Sequence, residues 1–227
     1  AVGTFLDDVY LEMTGFSDLD FFDAERVEIL RGPQSALYGR NTEGGVVHLI
    51  SREPGAEPEE RLSLRAGERG LFEGTVALSG PLGGDVFGRA AGTVRLSDGY
   101  VDNELLGTDA DEIEQSAARA AARWLGGGGW DVTLSVFADR DRDGGYALAP
   151  ISRVRETPYT VRHNVDASHE RDLWLAAVRA ERESPAGTLL SISSITDWSN
   201  RDMYDEDFSP ADLLRLDDRD ALQSISQ

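Results

Sequence analysis

From residue 62 onward the chain repeats one pattern. Apolar side chains fall on every second position, in segments joined by connections that are in turn short and long. Leu62, Leu64 and Ala66 share one face of a first segment, opposite Ser63 and Arg65. Phe72, Gly74, Val76 and Leu78 oppose Glu73, Thr75, Ala77 and Ser79 in a second. After a turn at 81–85, Val86, Gly88, Ala90, Gly92, Val94 and Leu96 oppose Arg89, Thr93 and Arg95. Period-two alternation puts neighbouring side chains on opposite faces of a strand, so these segments predict a sheet with one apolar face and one lined by Arg and Thr. Residues 116–125 are alanine-rich, and propensity alone favours a helix there. Their context favours a strand. A glycine turn at 126–129 follows, and then Trp130, Val132, Leu134, Val136 and Ala138 alternate with Asp131, Thr133, Ser135 and Asp139. Trp124 and Trp130 flank that turn, as aromatic residues do where a strand meets a membrane interface. Residues 173–183 and 188–198 form a last hairpin joined at 184–187, with Trp174, Ala176, Val178 and Ala180 opposite Arg179 and Glu181; residues 221–227 begin a further strand.

The connections at 81–85, 126–129 and 184–187 are short, and those at 97–114, 140–171 and 199–220 are long. Transmembrane β-barrels show this asymmetry, with short turns on one side and long loops on the other. No apolar run approaches the 18 residues of a membrane helix, which excludes helical spanning and leaves a barrel open. The net charge of −20 argues against nucleic acid as a partner. All 22 basic residues are arginine, so a phosphate-binding loop, which needs a lysine, is excluded. With no cysteine there is neither a disulfide framework nor a thiolate metal site. The sequence opens on Ala1 and Val2 without a basic and apolar leader, so a signal peptide is absent or lies outside these boundaries.

Upstream the pattern differs. Residues 2–10 read as two short β segments around an Asp7-Asp8 turn, and residues 16–24 as a loop with one helical turn. Residues 26–30 form a short half-buried strand, Gly32-Pro33 ends it, residues 34–38 make about one helical turn, and Gly39 stops that turn. Gly44-Gly45 permits a positive φ or a close backbone approach, and residues 46–50 are apolar enough for a buried strand. Two prolines, a glycine and four acids between 51 and 60 separate this region from the alternating segments.

Residues 26–51, RVEILRGPQSALYGRNTEGGVVHLIS, resemble the C-terminal signature of the plug domain of TonB-dependent outer-membrane receptors. The matching residues are Glu28, Leu30, Arg31, Gly32, Pro33, Tyr38, Gly39, Asn41, Gly44 and Gly45; Glu43 stands where a small residue is expected. The resemblance implies a mostly β fold: part of a small mixed α/β plug at 1–53, a linker at 54–60, and the first seven to eight strands of an antiparallel transmembrane β-barrel at 61–227. Against the roughly 22 strands of plugged transporters, this is about a third of the barrel. Such an open sheet, produced alone, is expected not to insert stably, because its edges leave backbone groups unpaired in lipid.

The implied function is energy-coupled transport of a bulky scarce nutrient across the bacterial outer membrane, a ferric siderophore before a vitamin B12-like compound, haem or a saccharide. The implied partners are the cargo, outer-membrane lipid and the TonB energy-coupling complex, whose contact segment lies upstream of Ala1. No cofactor and no catalysis are implied. A secreted, soluble all-β binding or adhesion module is the alternative; it requires the Trp and Leu faces to pack together instead of meeting lipid.

Within this frame Arg89, Thr93, Arg95, Arg119 and Arg123 are candidates to face the lumen, with Glu25, Glu28 or Glu43 as partners for the buried arginines. The long 140–171 connection offers Tyr146, Arg153, Arg155, Tyr159, Arg162 and His163 for substrate capture, since aromatic rings stack on planar ligands and arginines pair with anionic oxygens. Residues 139–144 open like a calcium loop, D-x-D-x-D-G, but Pro150 occupies the twelfth position, where a glutamate is required. An acidic strand end is the better reading. His48, His163 and His169 lack the spacing of a metal site, and neither G-x-S-x-G nor H-E-x-x-H occurs.

Overall fold

The computed structural model describes residues 2–11, 21–39 and 41–227. Its dominant element is an eight-stranded antiparallel sheet, here called the wall. In chain order the wall strands are β5 (Glu59–Ala66), β6 (Phe72–Gly83), β7 (Val86–Ser97), β10 (Ile113–Gly126), β11 (Trp130–Gly144), β13 (Ser168–Ser184), β14 (Gly187–Asp205) and β15 (Arg215–Ser226). Each pairs with its predecessor among them, so β5 and β15 are the edges. The alanine-rich stretch is strand throughout, with Ala118 opposite Ala138 on β11 and Gly92 on β7. Small side chains there let cross-strand neighbours approach closely, and this tertiary setting overrides helix propensity.

The register sorts the two faces. Val76, Leu78, Ala120, Trp124, Leu134, Val136, Trp174 and Val178 lie on one face, and all of them except Ala120 are exposed large hydrophobics. From Trp130 to Ala138 this face runs about 27 Å along the strand at ~3.4 Å per residue, or roughly 20 Å after tilting, close to the height of a lipid-facing band. Arg182 stacks over the Trp130 ring at 5.3 Å, at the short-turn end of that band. Beyond its other end the same face turns charged, with Arg140 and Arg142 sharing Asp172, and Arg201 and Arg219 sharing Asp217.

A second sheet has the order β2-β1-β4-β3, formed by β1 (Val2–Leu6), β2 (Val9–Tyr10), β3 (Ala24–Arg31) and β4 (Gly45–Ser51). The β1–β4 pair is parallel and the others are antiparallel. One turn of helix, α1 (Ser35–Tyr38), lies between β3 and β4. Leu6, Val9, Leu11 and Leu49 of this small sheet pack with Ala117, Phe137, Leu173, Leu175, Ala177 and Trp198 on the inner face of the wall. The inner face therefore carries an apolar patch that a lining of Arg and Thr alone does not include. Val27 and Ile29 on β3 are exposed instead of half-buried, because β3 is the free edge of the small sheet.

The long connections are shorter than the sequence suggested. β11 runs to Gly144, β13 starts at Ser168, β14 reaches Asp205 and β15 starts at Arg215. Charged alternation there reads as loop, yet Arg–Asp pairs across neighbouring strands take the place of apolar ones. Two connections are themselves ordered. β8 (Asp102–Asn103), β9 (Thr108–Asp109) and β12 (Thr160–Val161) form a small sheet in the order β12-β8-β9, and α2 (Ile151–Glu156) precedes β12. The helical turn expected at 16–24 falls largely outside the described residues. No helix among those described is long and apolar enough to cross a membrane.

Candidate functional site

The small sheet meets the wall through a chain of ion pairs centred on Asp23, immediately before β3. Arg89 Nε lies 3.0 and 2.9 Å from the two Asp23 carboxylate oxygens, and Arg89 Nη2 lies 2.5 Å from Oδ1. The side chains of Arg89 and Asp23 are 1% and 4% exposed. Arg119 Nη1 reaches Asp23 Oδ2 at 3.4 Å and donates to the Arg52 carbonyl at 3.1 Å, while its Nη2 reaches Asp7 Oδ2 at 3.3 Å. Arg89 also holds Glu59 at 2.9 Å. Two arginines of β7 and β10 thus clamp two carboxylates of the small sheet. Buried charges of this kind are tolerable only when paired and fully hydrogen-bonded.

A looser set lies alongside. Arg123 pairs with Glu53 and Asp131, both at 2.6 Å, and Arg179 with Glu181 at 2.5 Å and Asp8 at 3.6 Å. These groups are a quarter or more exposed, apart from Arg123 at 23%, so each contributes little by itself. Around them a cavity of about 360 Å³ separates the Asp7-Asp8 turn from Thr133, Ser135, Ala177 and Arg179 of the wall. On the Asp23 side, by contrast, the void among Leu6, Phe21, Phe22, Leu49 and Phe137 is about 20 Å³.

The signature residues of 28–45 build the far end of the small sheet. Glu28 on β3 accepts from Arg26 Nε at 2.8 Å, which holds its carboxyl below the usual range. Gly32 and Gly39 adopt φ values of 84° and 75° around Pro33 and α1. Asn41 also has a positive φ of 62°, and its side-chain amide donates to the Tyr10 hydroxyl at 3.0 Å. Tyr38 packs edge-on against Phe5, with centroids 5.1 Å apart. Gly45 has φ 142°, and a Cβ on it would lie 2.4 Å from the Leu30 carbonyl oxygen, so a side chain cannot fit. Gly44 accepts from the Gly32 amide at 3.3 Å, and Leu30 and Arg31 end β3 opposite Val46 and Gly45.

The other candidates are scattered. Arg89, Thr93, Arg95, Arg119 and Arg123 share the inner face by register; Thr93 bonds Thr75 at 3.1 Å, and Arg95 pairs with Glu73 at 3.3 Å. The partners of Arg89 and Arg119 are Asp23, Asp7 and Glu59, not Glu25 or Glu28, which instead bind Arg26. Sequence reasoning missed these aspartates, and only the odd Asp-Asp pair at a tight turn hinted at one of them. Of the loop set, His163 is 2% exposed and bonds the Leu148 carbonyl at 2.7 Å, and Arg153 holds Glu104 at 2.6 Å. Both serve to bind the long connections together. Tyr159 occupies a turn at φ 66°, Tyr146 packs edge-on against Tyr204, and Arg155 and Arg162 are exposed. The D-x-D-x-D stretch is strand: Asp139 and Asp141 point inward to Arg171, and Asp143 accepts from Gln115 at 2.6 Å. Among the described residues no group of three or more His, Cys, Asp or Glu could hold a metal ion.

An open antiparallel wall with an apolar outer band, holding a small mixed sheet by buried charges on its inner face, is the architecture of part of a plugged transmembrane β-barrel. Residues 1–46 match the TonB-dependent receptor plug domain. The chain is 44% identical over 80 residues to the metal-pseudopaline receptor of Pseudomonas aeruginosa, covering 34% of this chain and 11% of that one. It is 31% identical over 151 residues to the ferrioxamine B receptor of Salmonella typhimurium, covering 62% and 20%. The ferric yersiniabactin uptake receptor of Yersinia pestis superposes with a TM-score of 0.79 at 19% identity, over 89% of this chain and 33% of that one. The open form of the ferric-catecholate import receptor of Escherichia coli gives a TM-score of 0.72 at 14% identity, over 98% and 37%. The family match is confined to residues 1–46, and the chain spans 11% to 20% of the length of these two curated relatives.

Proposed function

We propose that this chain acts within an energy-coupled receptor of the bacterial outer membrane whose cargo is a ferric siderophore. The observation that carries the reading is the small sheet, the plug, seated on the inner face of a lipid-compatible wall by the Asp23, Arg89 and Arg119 cluster. A seat built of charges can be released by mechanical work and remade without loss of covalent structure, which suits a gate. The named relatives and neighbours, receptors for metal-pseudopaline, ferrioxamine B and ferric yersiniabactin, support a ferric chelate as the cargo class. Residues 1–53 are assigned to the plug, 54–60 to the linker and 61–227 to the barrel. In this reading Arg31, Gly32 and the following glycines shape the plug, the inner arginines anchor it, and Tyr146, Arg155, Tyr159 and Arg162 stand on the loop side where cargo arrives.

The energy-coupling complex on the inner membrane supplies the pull, and no bond of the cargo is made or broken. The secreted-module alternative fares poorly on the exposed Leu134, Val136 and Trp174, because a soluble sandwich would bury that face. Growth of a deletion strain on a panel of ferric chelates, haem, vitamin B12 and saccharides tests the cargo class. Loss of growth confined to one or more ferric siderophores is expected; unchanged growth on all of them, with loss on a saccharide, overturns it.

A further inference from the structure

The Asp7-Asp8 turn joins β1 to β2, and both residues have positive φ, 47° and 68°. That left-handed conformation is uncommon outside glycine, although aspartate adopts it more readily than most residues, and here contacts on both residues hold it. Three contacts hold Asp7: its amide donates to the Leu49 carbonyl at 3.0 Å, its Oδ1 accepts from the Ser51 amide at 2.7 Å, and its Oδ2 meets Arg119. Asp8 is held differently. Its amide donates to His48 Nε2 at 3.1 Å, and its carboxylate reaches Arg179 at 3.6 Å. The turn is thus the plug's second foothold on the wall, and one side of it depends on an imidazole lone pair.

That dependence fixes the state of His48. An amide N–H can be accepted only by an unprotonated Nε2, so the ring is neutral with its proton on Nδ1. Adding a second proton turns Nε2 into a donor facing a donor. The nearest acceptor is then Asp8 Oδ1, already 3.4 Å away. The carboxylate would leave Arg179 for the imidazolium, and the amide would lose its partner. The charged groups around the ring are Asp8 and Asp7 on the turn, Glu28 opposite on β3 with Arg26 beside it, Glu53 before the wall, and Arg119 and Arg179 on the wall. Phe5 and Tyr38 enclose the ring edge-on at 6.2 and 6.3 Å.

We propose that His48 is the positioning residue of this foothold. In its neutral form it holds the strained Asp7-Asp8 turn in the shape that engages Arg119 and Arg179, and its protonation releases Asp8 toward the adjoining cavity. Asp23 is held by Arg89 and Arg119 and not by an imidazole, and Arg119, which also reaches Asp7, links the two footholds. The step from a released turn to an opening gate rests on the transport reading above; the contact itself does not.

Histidine changes charge between about pH 5 and 8, so hydrogen exchange at the Asp8 amide, corrected for its intrinsic pH dependence, reads the contact in the detergent-solubilised protein. Exchange in the parent is expected to speed up on the order of tenfold from pH 8 to pH 5, the loss of one hydrogen bond. His48→Gln keeps an acceptor that does not titrate, and should stay protected at both pH values. His48→Phe should be unprotected at both. Nitrogen-15 shifts of the imidazole give an independent readout in the unaltered chain, with Nε2 unprotonated at pH 8. A proton on Nε2 at pH 8, or pH dependence retained in His48→Gln, overturns the proposal. Neither readout uses uptake, so a chain that carries no ferric siderophore would defeat the transport reading and leave this result standing.

Discussion

Replacing Asp23 by asparagine keeps the shape of the clamp and removes its charge. In the parent, the Asp23 carboxylate accepts three contacts from Arg89 and one from Arg119, with Arg89 and Asp23 almost wholly enclosed. Breaking a buried pair costs about 3–5 kcal/mol because the remaining charge is left uncompensated. Here Glu59 and Asp7 still reach the two arginines, so the lower end, about 3 kcal/mol, is expected. Trp198 provides the assay, since it is buried against the plug while Trp124, Trp130 and Trp174 lie on the other face. With those three changed to phenylalanine, Trp198 emission reports plug release in urea. At ~1–3 kcal/mol per molar, Asp23→Asn should lower the midpoint by about 1–3 M. Arg65→Ala, which removes an exposed pair with Glu73, should shift it by less than about 1 kcal/mol. Release of the Asp23 variant at the parent's midpoint, or an equal cost for the Arg65 variant, would show that the buried clamp does not hold the small sheet.

Gly45→Ala should cost at least ~2 kcal/mol, measured by plug proteolysis, because its Cβ meets the Leu30 carbonyl oxygen at 2.4 Å in a conformation that L residues avoid. Leu134→Arg places a charge in the middle of the outer band and should cost about 2–4 kcal/mol of insertion, whereas Thr133→Arg on the inner face should insert normally; heat-modifiable mobility distinguishes them. Desolvation, with Asp166 and Asp109 nearby, pushes the Glu112 carboxyl up. Since the folded state then binds this proton more tightly, its contribution is present below the unfolded carboxylate range and is lost as pH rises through the raised value. Glu112→Gln should therefore gain thermal stability over the parent as pH rises from about 4 to 8. The 227 residues produced alone leave β5 and β15 unpaired and should be extracted from membranes by urea; resistance to extraction contradicts this.

Much of the wall was readable because alternation is a local signal. Leu134, Val136 and Trp174 declare an outer face whatever lies beside them, and the alanines of β10 yield to it once their neighbours are counted. The turn glycines 32, 39 and 45 were legible for the same reason, since each satisfies a backbone demand within a few residues. Long-range pairing left no such trace. Asp23 and Arg89 are 66 residues apart, and nothing near Asp23 distinguishes it from other loop carboxylates. Charge-rich ends such as 140–144 and 199–205 misled in the opposite sense, because arginine and aspartate on facing strands complete a ladder that composition alone assigns to loop. His163 shows a third limit: an exposed-looking histidine in a long connection proves to be a buried tie between two ordered segments.

Uptake of a radiolabelled ferric siderophore is the most direct test of the whole account, measured in a deletion strain carrying this receptor with and without the energy-coupling protein. Surface binding is expected in both strains, and accumulation only when the coupling protein is present. Equal accumulation in its absence would contradict it.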